Sequence, residues 1–141
     1  MNIKCFFLEP TGNMIWDADS RHGEHEYRRT DTGETMTLSQ APPGAMWDAT
    51  WWHDDPGMTG WDGRALVVRT PGKHDWPIDA RASNCGSPGD NQHKCWCRHG
   101  EPPNITVDKN CHTCIAGAGS ISYPDYHGML TNGELIELPL G

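Results

Sequence analysis

Glycine and proline punctuate this chain so densely that the longest run free of both, Asn104 to Ala116, is 13 residues. Both are poor in helix interiors, Pro because it lacks the N–H and Gly because ordering its backbone costs the most entropy. The 16 Gly and 11 Pro leave room for strands of ordinary length, roughly five or six residues, and little for helices. No segment shows a sustained i, i+3, i+4, i+7 apolar pattern either. The expectation is a mainly β chain of small antiparallel hairpins, loop-rich and low in helix.

Three hairpins can be placed. Arg64 to Thr70 runs into Pro71-Gly72-Lys73 and returns as His74 to Asp79, with Pro77 confining the returning strand to an edge or a bulge. Glu26 to Thr30 and Glu34 to Leu38 flank Asp31-Thr32-Gly33, where Gly suits a positive φ. Asn132-Gly133 between Met129 to Thr131 and Glu134 to Leu138 is the strongest short hairpin signal in the chain. Ala82 to Asp90 and Gly100 to Pro103 read as loops.

A chain of 141 residues has the size of one domain, spanning 1–141. Its core material is thin: 35% of residues are hydrophobic, Phe occurs twice, and seven Trp carry most of the aromatic mass. In such a chain the tryptophans are expected to be the core, and a staple of metal or disulfide is expected to help it fold. The net charge of −8 argues against nucleic-acid binding, which needs a basic surface. Near the N-terminus the apolar Cys5-Phe6-Phe7-Leu8 is too short for the h-region of a signal peptide, and no stretch reaches the length of a membrane span. The expected location is therefore the cytoplasm, where cysteines serve more often as ligands or buried thiols than as disulfides.

The chemistry concentrates in residues 83–121. In His93-Lys94-Cys95-Trp96-Cys97-Arg98-His99, an extended backbone places His93, Cys95, Cys97 and His99 on one face. Neighbours on that face are roughly 6.6 Å apart, so one metal can take two or three of them and must find the rest elsewhere. Cys111-His112-Thr113-Cys114 is the nearest source. One tetrahedral candidate is thus Cys95-x-Cys97-x13-Cys111-x2-Cys114, whose spacer resembles that of a small zinc ribbon. A structural zinc would contribute on the order of 10 kcal/mol to folding.

Catalytic alternatives fit less well. A zinc deaminase needs His-x-Glu and then Pro-Cys-x2-Cys; after His99-Gly100-Glu101 only nine residues precede Cys111, and after His22-Gly23-Glu24 the required Pro is replaced by Asn110. A metal-dependent nuclease of His-Asn-His type could draw on His93, Asn104 or Asn110, and His112, yet the helix to carry the last His is missing. His53-Asp54-Asp55 can be a divalent-cation site or an exposed acidic turn.

Several of these residues carry a resemblance. Trp76-Pro77-Ile78-Asp79-Ala80-Arg81-Ala82-Ser83-Asn84-Cys85, His93-Lys94-Cys95-Trp96, Arg98-His99-Gly100, Pro102-Pro103, Thr106 to Lys109, Thr113-Cys114 and Ala116 to Ile121 resemble a family of small uncharacterised proteins encoded by bacteriophages and bacteria. The likeness extends upstream to Ala41 to Trp47. It implies an origin in a phage or mobile element and no particular mechanism. It also implies a ligand set of Cys85, Cys95 and Cys114 completed by His99, or alternatively His93, because the family keeps cysteine at the first three positions and often not at those of Cys97 and Cys111. Those two, with His112, stay as alternates.

Three functions follow as expectations. The first is a phage or mobile-element accessory or binding protein, non-catalytic, with a structural Zn2+ and protein partners. The second is a virion protein, a capsid or tail decoration, with phage virion proteins as partners. The third is the nuclease.

Overall fold

The computed structural model describes residues 2–16, 22–80, 96–108, 120–123 and 126–138. The strands among them are β1 (Asn2–Lys4), β2 (Phe6–Trp16), β3 (Gly23–Arg29), β4 (Thr35–Met36), β5 (Ala45–Asp48), β6 (Leu66–Arg69), β7 (Asp75–Pro77), β8 (Cys97–His99), β9 (Thr106–Asp108), β10 (Ser120–Tyr123), β11 (Tyr126–Thr131) and β12 (Glu134–Glu137). The helical content among the described residues is two short 3-10 turns, Leu38–Gln40 and Thr50–Trp52. The mainly β, helix-poor expectation is borne out.

The described strands form three sheets, in the orders β1-β12-β11-β10, β4-β3-β2-β5-β6-β7 and β8-β9. All three expected hairpins are present. The β11–β12 corner places Asn132 and Gly133 at φ 49° and 76°, the two consecutive positive values that a tight two-residue hairpin turn requires. Gly33 has φ 80° between β3 and β4. At the β6–β7 corner the positive φ falls on Lys73 rather than Gly72, and β7 with its Pro77 is the last strand of its sheet, as the missing N–H demands.

Two features depart from the expectation. Among the described residues every pairing is antiparallel except β2 with β5, which run parallel through Phe6↔Ala45 and Phe7↔Met46. β2 is also 11 residues long and passes through Pro10 and Gly12; a register shift between Pro10 and Met14 absorbs both, as β-bulges do. Punctuation by Pro and Gly hides a strand that tolerates them at a bulge.

β5 and β6 lie at the centre, buried on both faces. Met46, Leu66 and Val68 enter one apolar cluster with Trp76, Ile78, Trp96, Ile121, Leu130 and Leu135. Ala45, Trp47 and Val67 enter the other with Phe6, Leu8, Tyr27 and Met36. This explains why Leu66-Val67-Val68 is a continuous apolar run instead of an alternating one. The chain crosses from one sheet to the other at Cys5, a buried free thiol whose N–H donates to Gly133 O at 2.8 Å. Burial and then the nearby Glu134 carboxylate push this thiol up to about 12, so it is inert packing material.

The tryptophans divide. Trp47, Trp76 and Trp96 are buried, as expected of a Phe-poor chain. Trp16, Trp51 and Trp61 stand in solvent, contrary to that expectation: each lies on a turn or a strand end, where no second layer covers it. No described helix is long and apolar enough to cross a membrane.

Candidate functional site

The Cys/His segment is tied to the rest of the fold by the residues that alternate with its ligand candidates. Trp96 is buried in the first cluster, 5.5 Å from Trp76 between ring centroids, and its Nε1–H donates to Ile78 O at 2.6 Å. Two residues on, in β8, the Arg98 side chain is only 2% exposed. Its Nε donates to Asp79 Oδ1 at 2.8 Å, and its two terminal nitrogens hold both oxygens of Asp62 at 3.1 and 2.7 Å. A planar fork meeting two carboxylates is the geometry in which Arg outperforms Lys.

The carboxylates are themselves fixed. Asp79, 5% exposed, accepts the Leu66 N–H on its other oxygen at 3.1 Å. Asp62 accepts the Arg64 N–H at 3.1 Å and Arg64 Nε at 2.7 Å, and Arg64 reaches on to Glu101 at 3.1 Å. Burial raises the Asp62 carboxyl, but the hydrogen bonds from Arg98 and Arg64 outweigh it and hold the group well below the usual carboxylate range. For Asp79 the balance reverses: burial raises it by more than Arg98 restores. Burial lowers Arg98, and the two carboxylates more than reverse that. Gly60 completes the packing, since a Cβ there would collide with the Arg98 guanidinium and lie 2.6 Å from Asp79 Oδ1. Trp61, 74% exposed, lies on this turn with the Arg98 guanidinium 5.6 Å from its ring centroid.

Of the ligand candidates, His99 and Cys97 fall on described residues. His99 stands at the solvent side of β8 with Nε2 2.8 Å from Asp108 Oδ1 in β9. Cys97 is buried and disulfide-bonded. A disulfide sulfur is no thiolate, so in this state Cys97 is not available to a metal, and the general preference for reduced cysteines does not hold at this position. Cys85, His93, Cys95, Cys111, His112 and Cys114 lie outside the described residues. Among the described residues no group of three or more His, Cys, Asp or Glu could hold a metal ion. His53 is engaged with Asp48 at 2.8 Å, while Asp55 accepts the Gly57 N–H at 2.9 Å, so that stretch is built as a turn.

The period-2 reading of this segment singled out one face as ligands and left the other without a task. That other face makes the buried contacts. A signal for it was present in the sequence: Trp96 and Arg98 alternate with the ligand candidates as regularly as the candidates alternate with them. The chain matches no protein-family model, and neither the curated proteins nor the solved structures hold a match to it.

Proposed function

We propose that this chain is a non-catalytic binding protein of phage or mobile-element origin, in which region 83–121 closes a structural zinc site on a β-rich body. The phage or mobile-element origin rests on the motif resemblance. The observation that carries the zinc reading is the His99–Asp108 pair. Zinc-bound histidines almost always give their second ring nitrogen to a carboxylate, which fixes the tautomer and aims the other nitrogen. With Nε2 held by Asp108, the Nδ1 of His99 is the one left to bind. With Cys97 in a disulfide, Cys85, Cys95 and Cys114 completed by a histidine need nothing from it, and the Asp108 contact favours His99 for that place.

The function is binding, and the partners are proteins, phage virion proteins among them, met in the host cytoplasm. Support comes from the net charge of −8, which disfavours nucleic acid, and from exposed tryptophans, the residues most enriched where proteins dock. Such a module uses its metal to hold shape and has no reaction to perform.

Two measurements on untagged protein test the metal. Elemental analysis should return close to one zinc per chain, because a site coupled to folding fills almost completely; less than about 0.3 equivalent sinks the reading. Mapping of the disulfides after alkylation without reductant should leave Cys85, Cys95 and Cys114 unbonded. If any of these three proves to be the partner of Cys97, the ligand set is broken.

A further inference from the structure

We propose that Asn132-Gly133 is a modification site, a pair that deamidates without an enzyme and that β9 holds shut, and whose product unlatches the corner where the sheets meet. The pair forms the tight turn between β11 and β12, with φ 49° and 76°. Two demands fix glycine at 133. Its φ is one that side chains rarely adopt, and a Cβ there would stand 2.9 Å from Pro103 O and 3.1 Å from Asn104 Oδ1. The same missing side chain leaves the backbone nitrogen after an asparagine unshielded, so the turn cannot trade away its reactivity.

The reaction needs only water. The Gly133 nitrogen attacks Asn132 Cγ; as the new N–Cγ bond forms, the Cγ–Nδ2 bond breaks, and the amide leaves as ammonia carrying the Gly133 proton. Water then opens the resulting succinimide to aspartate or isoaspartate. In the fold both reacting groups are engaged. The Gly133 N–H donates to Ile105 O at 3.0 Å. Thr106 Oγ1 accepts the Asn132 N–H at 2.9 Å and donates to Asn132 Oδ1 at 3.3 Å. Gly133 is buried while Asn132 is exposed, so water has access to the amide and the attacking nitrogen is what is withheld. Both restraints come from the start of β9, and attack requires β9 to leave the corner.

The position gives the product its effect. Gly133 O accepts the Cys5 N–H at 2.8 Å, at the point where the chain crosses between sheets, so one residue joins the β11–β12 corner to β9 and to that crossing. Isoaspartate adds one atom to the backbone of a two-residue turn whose strands are in register at Thr131↔Glu134. The added atom breaks the pair of positive φ values that shapes the turn and pulls Gly133 from its partners. Either product also sets a new carboxylate beside Glu134 in a chain already at −8.

The full chain, incubated at mildly alkaline pH and sampled by peptide mass mapping, reads conversion at Asn132. Only chains open at this corner react, so the folded rate is the rate in guanidinium chloride scaled by the open fraction, at least about tenfold slower. Thr106→Val removes the hydroxyl and keeps a strand-forming side chain; it should speed conversion at least about threefold, while Thr11→Val, whose hydroxyl serves Glu26, leaves the rate unchanged. Chain converted in denaturant, refolded and separated by its added negative charge should exchange the Cys5 amide at least about tenfold faster than unconverted chain treated alike; failure of the converted chain alone to refold is the stronger form of that result. A folded wild type converting within about twofold of the denatured chain overturns the gate without any substitution, and so does Thr106→Val at the wild-type rate. An unchanged Cys5 amide in the converted chain overturns the unlatching.

Discussion

The β8–β9 hairpin, entered through Trp96, and the distal ribbon of β2–β3, Met14 to Trp16 against Gly23 to His25, meet opposite fates. β8–β9 is three residues per strand, no longer than that ribbon, yet it is the better anchored of the two. A two-stranded hairpin is marginal alone in water, so what separates them is what stands behind each. β8–β9 has Trp96 in the apolar core, Arg98 forked between two carboxylates, and the Gly133 N–H donating to Ile105 O at 3.0 Å. The ribbon has surface pairs, Arg28 with Glu9 at 3.1 Å and Thr11 with Glu26 at 2.8 Å, which contribute little in water. Buried polar anchoring makes a small hairpin part of the body; without it one of equal length becomes an arm.

The largest expected effect removes the anchor. Arg98→Ala removes the cation that Asp79 and Asp62 share in a dry site, and breaking one side of a buried pair costs roughly 3–5 kcal/mol. Denaturant titration should show that loss, and a change under about 1 kcal/mol would mean that Trp96 alone holds the hairpin. Next in size is acid sensitivity. Asp62 is held low in the folded chain, so as pH falls the unfolded chain takes up that proton first. The stability it contributes is full above roughly pH 4, the ordinary aspartate range, and drains away as pH drops through the folded value. Asp79, raised by burial, has the opposite sign and offsets part of the loss. Asp62→Asn should therefore show a flatter fall of urea midpoint between about pH 6 and pH 3; an unchanged slope would place the acid response elsewhere. The smallest effect belongs to the arm. Trp16→Ala should alter stability by no more than about 0.5 kcal/mol, as at other exposed sites, and a larger change would show that the ribbon is bound into the body after all.

The same contrast sorts what the sequence reveals. Local signals worked: Thr32-Gly33, Pro71 to Lys73 and Asn132-Gly133 each encode a turn within a few residues, and each turn is present. Non-local features were illegible. Nothing in Phe6-Phe7 announces a parallel partner at Ala45-Met46, and Pro10 and Gly12 disguise the length of β2. For the site, alternation in Trp96-Cys97-Arg98-His99 was legible, but the reading gave a task only to the half that carries ligand candidates. An arginine on a strand reads as solvent-facing, and its partners Asp79 and Asp62 are 19 and 36 residues away. Spacing rules cannot see a pair at that distance. Composition likewise assigned the tryptophans to the core as a group and could not single out the three that stand in solvent.

The first strand of the chain finds its neighbour at the far end. Asn2 to Lys4 pair with Glu134 to Ile136, and the Cys5 N–H closes onto Gly133. A nascent chain leaving the ribosome must therefore keep β1 unpaired at least until Glu134 to Ile136 have been made. Closing so long a loop costs entropy before any contact repays it, and folds dominated by such pairings form slowly. The β2–β3 hairpin is local and can form early, while the four-stranded sheet is sealed last. In the interval the N-terminal edge and Cys5 are open to whatever else the cell offers.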